Sequence, residues 1–187
     1  MQTSSSTRWT SSPPPEPGPD DHVRGSGPVV IEYADLECPY CARAHRTLDR
    51  LPITRVFRHF PVMSKHPRAR ALAHAAEAAG LQGRFWEMHD SLLEDQAHID
   101  DPHLWERARK LGLDLERFEA DRRSEPVATR VERDFQSGVR AGVVTTPTQF
   151  VDGVAHPGVP SDSLERLLAS SGFVSRGTHE SPPTGGG

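Results

Sequence analysis

The sequence has only two cysteines among its 187 residues, and they stand three positions apart, at Cys38 and Cys41. A pair this close cannot link distant parts of a fold, so a scaffold held together by disulfides is excluded. No apolar run approaches the ~20 residues that a membrane helix needs. The formal net charge is −4, and no stretch is basic enough to follow a phosphate backbone, which argues against nucleic acid as a partner.

The two ends of the chain are poor in apolar residues. Residues 1–27 contain three consecutive serines and three consecutive prolines, and residues 173–187 end in Pro-Pro-Thr-Gly-Gly-Gly. Such segments bury too little apolar surface to offset the entropy lost on ordering, so both are predicted to be disordered tails. The first tail lacks a basic segment followed by an apolar one, so a cytoplasmic location is predicted. Residues 28–172 between the tails form one predicted domain.

The pattern of apolar residues in this domain indicates an α/β fold with a mixed sheet flanked by helices. Short β-branched or alternating runs predict strands at residues 29–33, 53–60, 148–151 and 154–155. A helix predicted at residues 39–51 separates the first two strands, and such a unit implies a right-handed crossover between parallel strands. The Asp152-Gly153 turn predicts a hairpin of the last two strands, which makes the sheet mixed.

A block of helices interrupts the strands over about residues 64–138. Five segments with helical spacing fall within it, at residues 67–79, 84–94, 102–111, 115–123 and 125–137. Each helix with a one-sided apolar stripe has to bury that face. The block is therefore predicted to pack on the sheet as an inserted helical subdomain, and a final amphipathic helix follows at residues 162–170.

The cysteines belong to a Cys38-Pro39-Tyr40-Cys41 motif at the start of the first predicted helix. Cysteines at positions i and i+3 face the same side, so their sulfurs can form a small disulfide ring. The helix N-terminus places unpaired N–H groups and a partial positive charge near the first sulfur, which favours the thiolate. The pKa of Cys38 is therefore expected below ~8.5, which makes Cys38 the predicted nucleophile and Cys41 the resolving cysteine. Pro39 and Tyr40 are expected to shape the helix start and to contact the substrate.

Two other interpretations of the motif remain open at this point: a zinc site, and a pair of thiols without a special role. A structural disulfide across two residues closes too short a loop to stabilise a fold much. Zinc is the stronger alternative, because Cys38, Cys41 and His45 have Cys-x2-Cys-x3-His spacing, yet the chain has no further cysteine and no second ligand pair at metal-like spacing. No metal ligand is assigned, and the only expected redox group is the Cys38–Cys41 disulfide itself, without a cofactor.

Residues 30–41, which read VIEYADLECPYC, resemble the active-site strand and motif of the DsbA-like thioredoxin-fold family. The segment Gly142-Val143-Val144-Thr145-Thr146-Pro147-Thr148 is similar to the cis-proline loop of that family, and the helical block stands where the family carries a helical insertion. The likeness spans about residues 28–170 and implies a thioredoxin fold with an inserted helical subdomain. The sequence departs from the strongly oxidising periplasmic prototype in its Pro-Tyr dipeptide, which is that of glutaredoxins.

The resemblance also implies roles for residues outside the motif. Pro147 would be cis and face the disulfide, so that the backbone of Thr146 offers a strand-like edge to a substrate peptide. Without the resemblance, an ordinary trans proline is the simpler interpretation. Glu32 would be a buried acid that assists proton transfer at the resolving cysteine, whereas the residues alone are equally consistent with a solvent-facing carboxylate on an edge strand. The outer face of the helical block, around Lys65, His66 and Arg68, would line a groove near Cys38 and help to choose substrates.

Together these features predict an enzyme, a dithiol/disulfide oxidoreductase that exchanges disulfides with protein or low-molecular-weight thiols. It would need an external thiol partner as reductant or oxidant. The alternative from another class is a non-catalytic thioredoxin-fold binding module or a zinc-binding adaptor. Neither interpretation involves a membrane or a nucleic acid.

Overall fold

The structure, a computed structural model, describes residues 12–174. Five strands lie in this range: β1 (His22–Gly25), β2 (Val29–Ala34), β3 (Thr54–His59), β4 (Thr148–Val151) and β5 (Val154–Pro157). The same range contains the helices α1 (Pro39–Leu48), α2 (Ala69–Gly80), α3 (Phe85–Glu94), α4 (Asp101–Lys110), α5 (Leu115–Asp121), α6 (Glu125–Arg140) and α7 (Asp162–Val174). The parts of the predicted tails at residues 1–11 and 175–187 lie outside the described residues.

The strands form one mixed sheet in the order β1-β3-β2-β4-β5. β2 and β3 are parallel, as the predicted crossover through α1 requires, and the other pairs are antiparallel. The late hairpin of β4 and β5 turns at Asp152 and Gly153, which both have a positive φ angle. The expected fold class, a mixed sheet flanked by helices in a thioredoxin fold with inserted helices, is confirmed.

β1 corrects the predicted boundary of the first tail. His22–Gly25 pairs with β3, with Val23 opposite Val56, although it lies within residues 1–27. Just before this strand, the buried Arg58 donates to both carboxylate oxygens of Asp21 at 3.0 and 2.9 Å. The composition did not reveal this segment because pairing with a sheet edge uses backbone groups, and because its anchors are polar. At the other end, α7 continues to Val174, two residues into the predicted second tail.

Among residues 12–174, three clusters of buried side chains fill the fold. The largest joins the helical block to the sheet and to α1, and it contains Phe57 and Leu72 together with both cysteines. A second cluster lies around Tyr33 and Phe60 on the face that α6 covers. α6 approaches this face so closely that a Cβ atom on Gly138 would lie 2.6 Å from the ring of Phe60. The third cluster packs α7 against the sheet.

Within residues 12–174, none of the helices has both the length and the apolar character needed to cross a bilayer.

Candidate active site

Cys38 is the N-cap residue of α1, at the end of the loop that follows β2. Its backbone is extended, with φ −72° and ψ 122°, and Pro39 occupies the first turn, where a missing N–H group breaks no helical hydrogen bond. The carbonyl oxygen of Cys38 accepts the N–H groups of Cys41 and Ala42 at 3.0 and 3.2 Å. Both cysteines are free thiols. The motif therefore begins the helix as its spacing indicates.

The surroundings of Cys38 favour its thiolate. The largest contribution is a hydrogen bond from the side chain of Cys41; burial of the sulfur opposes it, and backbone hydrogen bonds from Cys41 and Tyr40 assist it. The net result lowers the pKa of Cys38 to about 5. The sulfur would therefore be almost fully ionised at neutral pH, the state in which a thiol attacks a disulfide.

The environment of Cys41 acts in the opposite direction. Cys41 has no exposed surface, whereas Cys38 keeps 3% of its surface and Tyr40 between them keeps 57%. Burial is the largest cause that raises the pKa of Cys41 well above its usual value, and the nearby Cys38 and Glu32 add to the rise. The backbone N–H of Asp35 donates to the Cys41 sulfur at 3.4 Å and opposes the shift. The two thiols thus differ in the way that separate attacking and resolving roles require.

The predicted second half of the site lies against Cys38. The Thr146–Pro147 peptide bond is cis, and the Cys38 sulfur lies 3.6 Å from the carbonyl oxygen of Thr146, to which the protonated thiol can donate. Both loop residues are buried, whereas Val144, two residues earlier, is 91% exposed. The loop reaches the motif because β4 runs antiparallel to β2, so the start of β4 and the end of β2 meet at the same edge of the sheet.

Glu32 lies on the central strand β2 and is completely buried, so the alternative of a solvent-facing carboxylate on an edge strand is wrong. Arg55 of β3 donates to one carboxylate oxygen, Oε2, from Nε at 2.9 Å and from Nη2 at 2.6 Å. The other oxygen, Oε1, has no hydrogen-bond partner among the described residues. A buried carboxylate oxygen without a partner is unusual in folded proteins and suggests a functional use.

His45 belongs to this buried network rather than to the cysteine pair. The Arg55 guanidinium is always protonated, so Nη1 donates and Nδ1 of His45 accepts, at 3.0 Å. Burial, together with the charge of Arg55, lowers the pKa of His45. On the far side, Nε2 of His45 lies 3.9 Å from Asp90, which in turn pairs with Arg24 at 2.7 Å.

Within the part of the chain that the structure describes, the cysteines belong to no group of potential metal ligands. Among the described residues, His45, His89 and Asp90 are the group whose ligand atoms lie within 4.8 Å of one another. The zinc alternative from the motif spacing needed Cys38, Cys41 and His45 together, and the side chain of His45 is bonded to Arg55 instead. The guanidinium groups of Arg55 and Arg24 next to the histidine group also disfavour a bound cation through charge repulsion.

Residues at the start of the helical block and just before it hold the loop that leads to the motif, whereas the groove expected near Cys38 stays a prediction. Asp35 is buried in this loop and accepts from the backbone of Val62 and from His66, both at 2.8 Å. Glu37 accepts from the backbone N–H of Arg68 at 2.6 Å. His66 and Arg68 were predicted to lie in this region, whereas Asp35 was not, because a short polar residue after a strand is common in loops.

Gln96 is a second residue near the motif whose contact the sequence does not predict. It lies in the loop between α3 and α4, and its amide nitrogen donates to the carbonyl oxygens of Leu36 and Cys38 at 3.0 and 3.1 Å. Nothing in the local sequence signals this contact, because its partners are about 60 positions away.

Comparison with known proteins places the chain in a family. Residues 55–170 match the model of the DSBA-like thioredoxin domain. The chain is 44% identical over 173 residues to Na(+)/H(+) antiporter NhaA 1 of Salinispora arenicola, a match that covers 87% of this chain and 26% of the antiporter. It is 42% identical over 149 residues to Na(+)/H(+) antiporter NhaA of Herminiimonas arsenicoxydans, covering 75% and 24%. The chain thus spans about a quarter of the length of these curated relatives.

Solved structures share the fold. A thioredoxin-like oxidoreductase from Silicibacter pomeroyi has a TM-score of 0.73 at 24% identity, with 86% of this chain and 95% of that chain covered. BdbD from Bacillus subtilis has a TM-score of 0.73 at 18% identity (89% and 98% covered), and alpha-DsbA1 from Wolbachia pipientis has 0.71 at 19% identity (85% and 96% covered). With its family match, its sheet order and its inserted helices, the chain belongs to the DSBA-like thioredoxin domain family.

Proposed function

We propose that this chain is a thiol–disulfide oxidoreductase that exchanges disulfides with protein or low-molecular-weight thiols through Cys38 and Cys41. The observation that carries the proposal is the placement of the two thiols. Cys38 is the N-cap of α1 with its sulfur 3.6 Å from the Thr146 carbonyl oxygen beside the cis Pro147, and Cys41 lies fully buried behind it. The pKa of Cys38, lowered to about 5, and that of Cys41, raised well above its usual value, agree with this placement. A low-pKa thiolate beside a protonated partner is the arrangement needed for attack followed by resolution.

In the reducing direction, the Cys38 thiolate attacks one sulfur of a substrate disulfide, and the other substrate sulfur leaves as a thiolate. Cys41 then loses its proton and attacks the Cys38 sulfur in the mixed disulfide. The second substrate sulfur leaves, the Cys38–Cys41 disulfide forms, and two electrons have passed to the substrate. An external thiol restores the dithiol, and the reverse sequence oxidises a substrate dithiol.

Glu32 is the proposed proton acceptor for Cys41. The charge of Glu32 acts on Cys41, its side chain is fully buried, and its Oε1 atom accepts no hydrogen bond from the described residues. Arg55 holds the other oxygen and keeps the carboxylate oriented. Thiols need a base at the resolving step because only the thiolate attacks.

The substrate would bind across the exposed edge formed by Pro39, Tyr40 and the loop before β4. A substrate N–H group could donate to the Thr146 carbonyl oxygen, which lies 3.6 Å from the Cys38 sulfur, and this would add backbone recognition beside the attacking sulfur. The ring of Pro147, which follows that carbonyl group in the chain, would form one side of the binding site. The exposed side chains of Tyr40 and Val144 offer apolar contacts without sequence specificity.

The test is reduction of insulin by the chain in the presence of dithiothreitol, with oxidation of a dithiol peptide as the second assay. We expect turnover that Cys38→Ser abolishes, whereas Cys41→Ser accumulates a mixed disulfide detectable by mass spectrometry. Arg43→Gln, an exposed change on the same helix, is the matched control and should keep activity. A folded chain inactive in both assays would exclude the proposed enzyme.

A second candidate is a redox module that acts together with a sodium–proton antiporter. The observation that favours this candidate is the 44% identity to Na(+)/H(+) antiporter NhaA 1 of Salinispora arenicola, in a match that covers 26% of the antiporter. In vesicles containing that antiporter, the oxidised and reduced chain should then change sodium-dependent proton movement to different extents, and the Cys38→Ser/Cys41→Ser variant should remove the difference. Equal transport with both forms would argue against the module. The cytoplasmic location stays a prediction.

A further inference from the structure

We propose that Gln96, in the inserted helical block, is a positioning residue of the redox site that holds the backbone around Cys38 in the conformation that supports its thiolate. The proposal rests on the proposed function, because it concerns the same sulfur. It assigns to the insertion a direct part in the properties of the motif.

The contact itself uses the full donor capacity of the side chain. The amide nitrogen of Gln96 has two hydrogens, and it donates to two carbonyl oxygens, those of Leu36 and Cys38, at 3.0 and 3.1 Å. These two carbonyls lie on either side of the last loop residue before the motif. Gln96 therefore fixes the direction from which the chain enters α1.

The position of the Cys38 carbonyl matters for the sulfur on the same residue. That oxygen also accepts the N–H groups of Cys41 and Ala42, which open the helix. An amide donor pointed at the two carbonyl oxygens offsets their partial negative charge next to the thiolate. It also limits rotation about the backbone of Cys38, so that the sulfur keeps its place at the start of α1.

The loop that carries Gln96 is itself held on both sides. Arg68 donates to the carbonyl oxygen of Ile99 at 3.1 Å from Nη2, and Arg107 donates to the carbonyl oxygen of Asp95 at 2.7 Å. A side chain placed by a loop with fixed ends can impose a geometry on its partner, whereas one on a free loop would only follow it.

Gln82 provides a matched control in the same block. Its amide nitrogen donates to the carbonyl oxygen of Asp114 at 3.2 Å, and its carbonyl oxygen accepts the N–H of Asp114 at 2.9 Å. This glutamine joins two turns of the insertion by the same type of side-chain-to-backbone contact, and none of its hydrogen bonds involves the motif. A purely structural effect of losing such a contact should appear equally at Gln82 and Gln96.

The experiment measures the rate at which iodoacetamide modifies Cys38 in the full-length reduced protein, from pH 4 to pH 9, with mass spectrometry to identify the cysteine. Gln96→Met keeps the size of the side chain and removes both hydrogen bonds, and we expect the midpoint to rise by about half to one pH unit. Gln96→Glu replaces the donor with a carboxylate beside two carbonyl oxygens and should raise it further. Gln82→Met should lower thermal stability and leave the midpoint unchanged.

Unchanged midpoints in both Gln96 variants, with a stability loss like that of Gln82→Met, would overturn the proposal. If Gln96→Glu does not fold, Gln96→Asn decides in its place, because the shorter amide cannot span to both carbonyls and should behave like Gln96→Met. The readout needs no turnover. A shifted midpoint in a chain without oxidoreductase activity would support the positioning role and reject the enzyme, and normal activity with an unshifted midpoint would do the reverse.

Discussion

The hydrogen bond from Cys41 is the largest single cause that lowers the pKa of Cys38, so Cys41→Ala is the most direct perturbation of the site. Hydrogen bonds to charged groups contribute about 1.5–3 kcal/mol, and 1.36 kcal/mol corresponds to one pKa unit. Removing the bond should therefore move the pKa of Cys38 from about 5 to a value roughly one to two units higher.

The consequence for reactivity depends on pH in a way that can be worked out beforehand. At pH 5 half of Cys38 is ionised in the wild-type chain, and a pKa one to two units higher lowers the reactive fraction roughly 5- to 50-fold. At pH 8 the sulfur is almost fully ionised in both proteins, so the alkylation rates should be similar, with a small advantage for the more basic thiolate of the variant. The assay is the alkylation rate of Cys38 across this pH range. Because Cys41 is replaced in the variant, no second thiol competes for the reagent.

Cys41→Ser separates the hydrogen bond from the loss of a side chain. The hydroxyl group remains a donor, so this variant should keep most of the low pKa, and its midpoint should fall between those of the wild type and Cys41→Ala. A midpoint near 5 in Cys41→Ala would refute the reasoning, because the helix N-terminus alone would then account for the thiolate.

Three further predictions concern other parts of the fold. Glu32→Gln should slow resolution of the mixed disulfide by Cys41 roughly 10²-fold without changing the first attack, as measured by quenched-flow kinetics; an unchanged second step would exclude Glu32 as the base. Gly138→Ala should destabilise the protein by about 1–3 kcal/mol in urea because the new methyl group meets two aromatic rings, whereas Gly18→Ala meets nothing and should be neutral. Burial raises the pKa of Glu77, but hydrogen bonds from two histidines outweigh burial and lower the pKa overall, so the ionised Glu77 stabilises the fold fully above its unfolded pKa of about 4.3 and less as the pH falls. The loss of stability in Glu77→Gln, measured in urea, should therefore shrink below pH 4, and a loss that is constant with pH would contradict this.

The parts of the fold that the sequence revealed are those with local causes. The helix predicted at residues 102–111 is observed as Asp101–Lys110, because Asp100 caps it and Pro102 suits its first turn. The hairpin at Asp152 and Gly153 is equally local. β1 was not predicted because its partner strand begins about 30 residues later in the sequence. In addition, a short strand with polar neighbours has no sequence pattern that indicates the edge of a sheet.

The same distinction applies to the site. The cysteines and the loop at Thr146 were predicted from a contiguous motif and from a family resemblance. Arg55 was not predicted as a site residue, because an arginine within a strand usually faces solvent. Arg55 is buried because it pairs with the buried Glu32 on the neighbouring strand. His45 has a sequence spacing typical of a zinc ligand, but Arg55 bonds to it from the next strand. Neither contact can be found by reading along one segment.

The inserted helices also affect Cys41, the second thiol of the motif, which Gln96 does not contact. Cys41 lies in the same buried cluster as Leu72 of α2 and Leu93 of α3, and burial is the largest cause of its raised pKa. A thioredoxin core without these helices would leave that side of the motif open to water, which stabilises a thiolate. The difference in acidity between the two cysteines therefore depends on the insertion as well as on the start of α1, and the redox properties of the domain cannot be assigned to its four-residue motif alone.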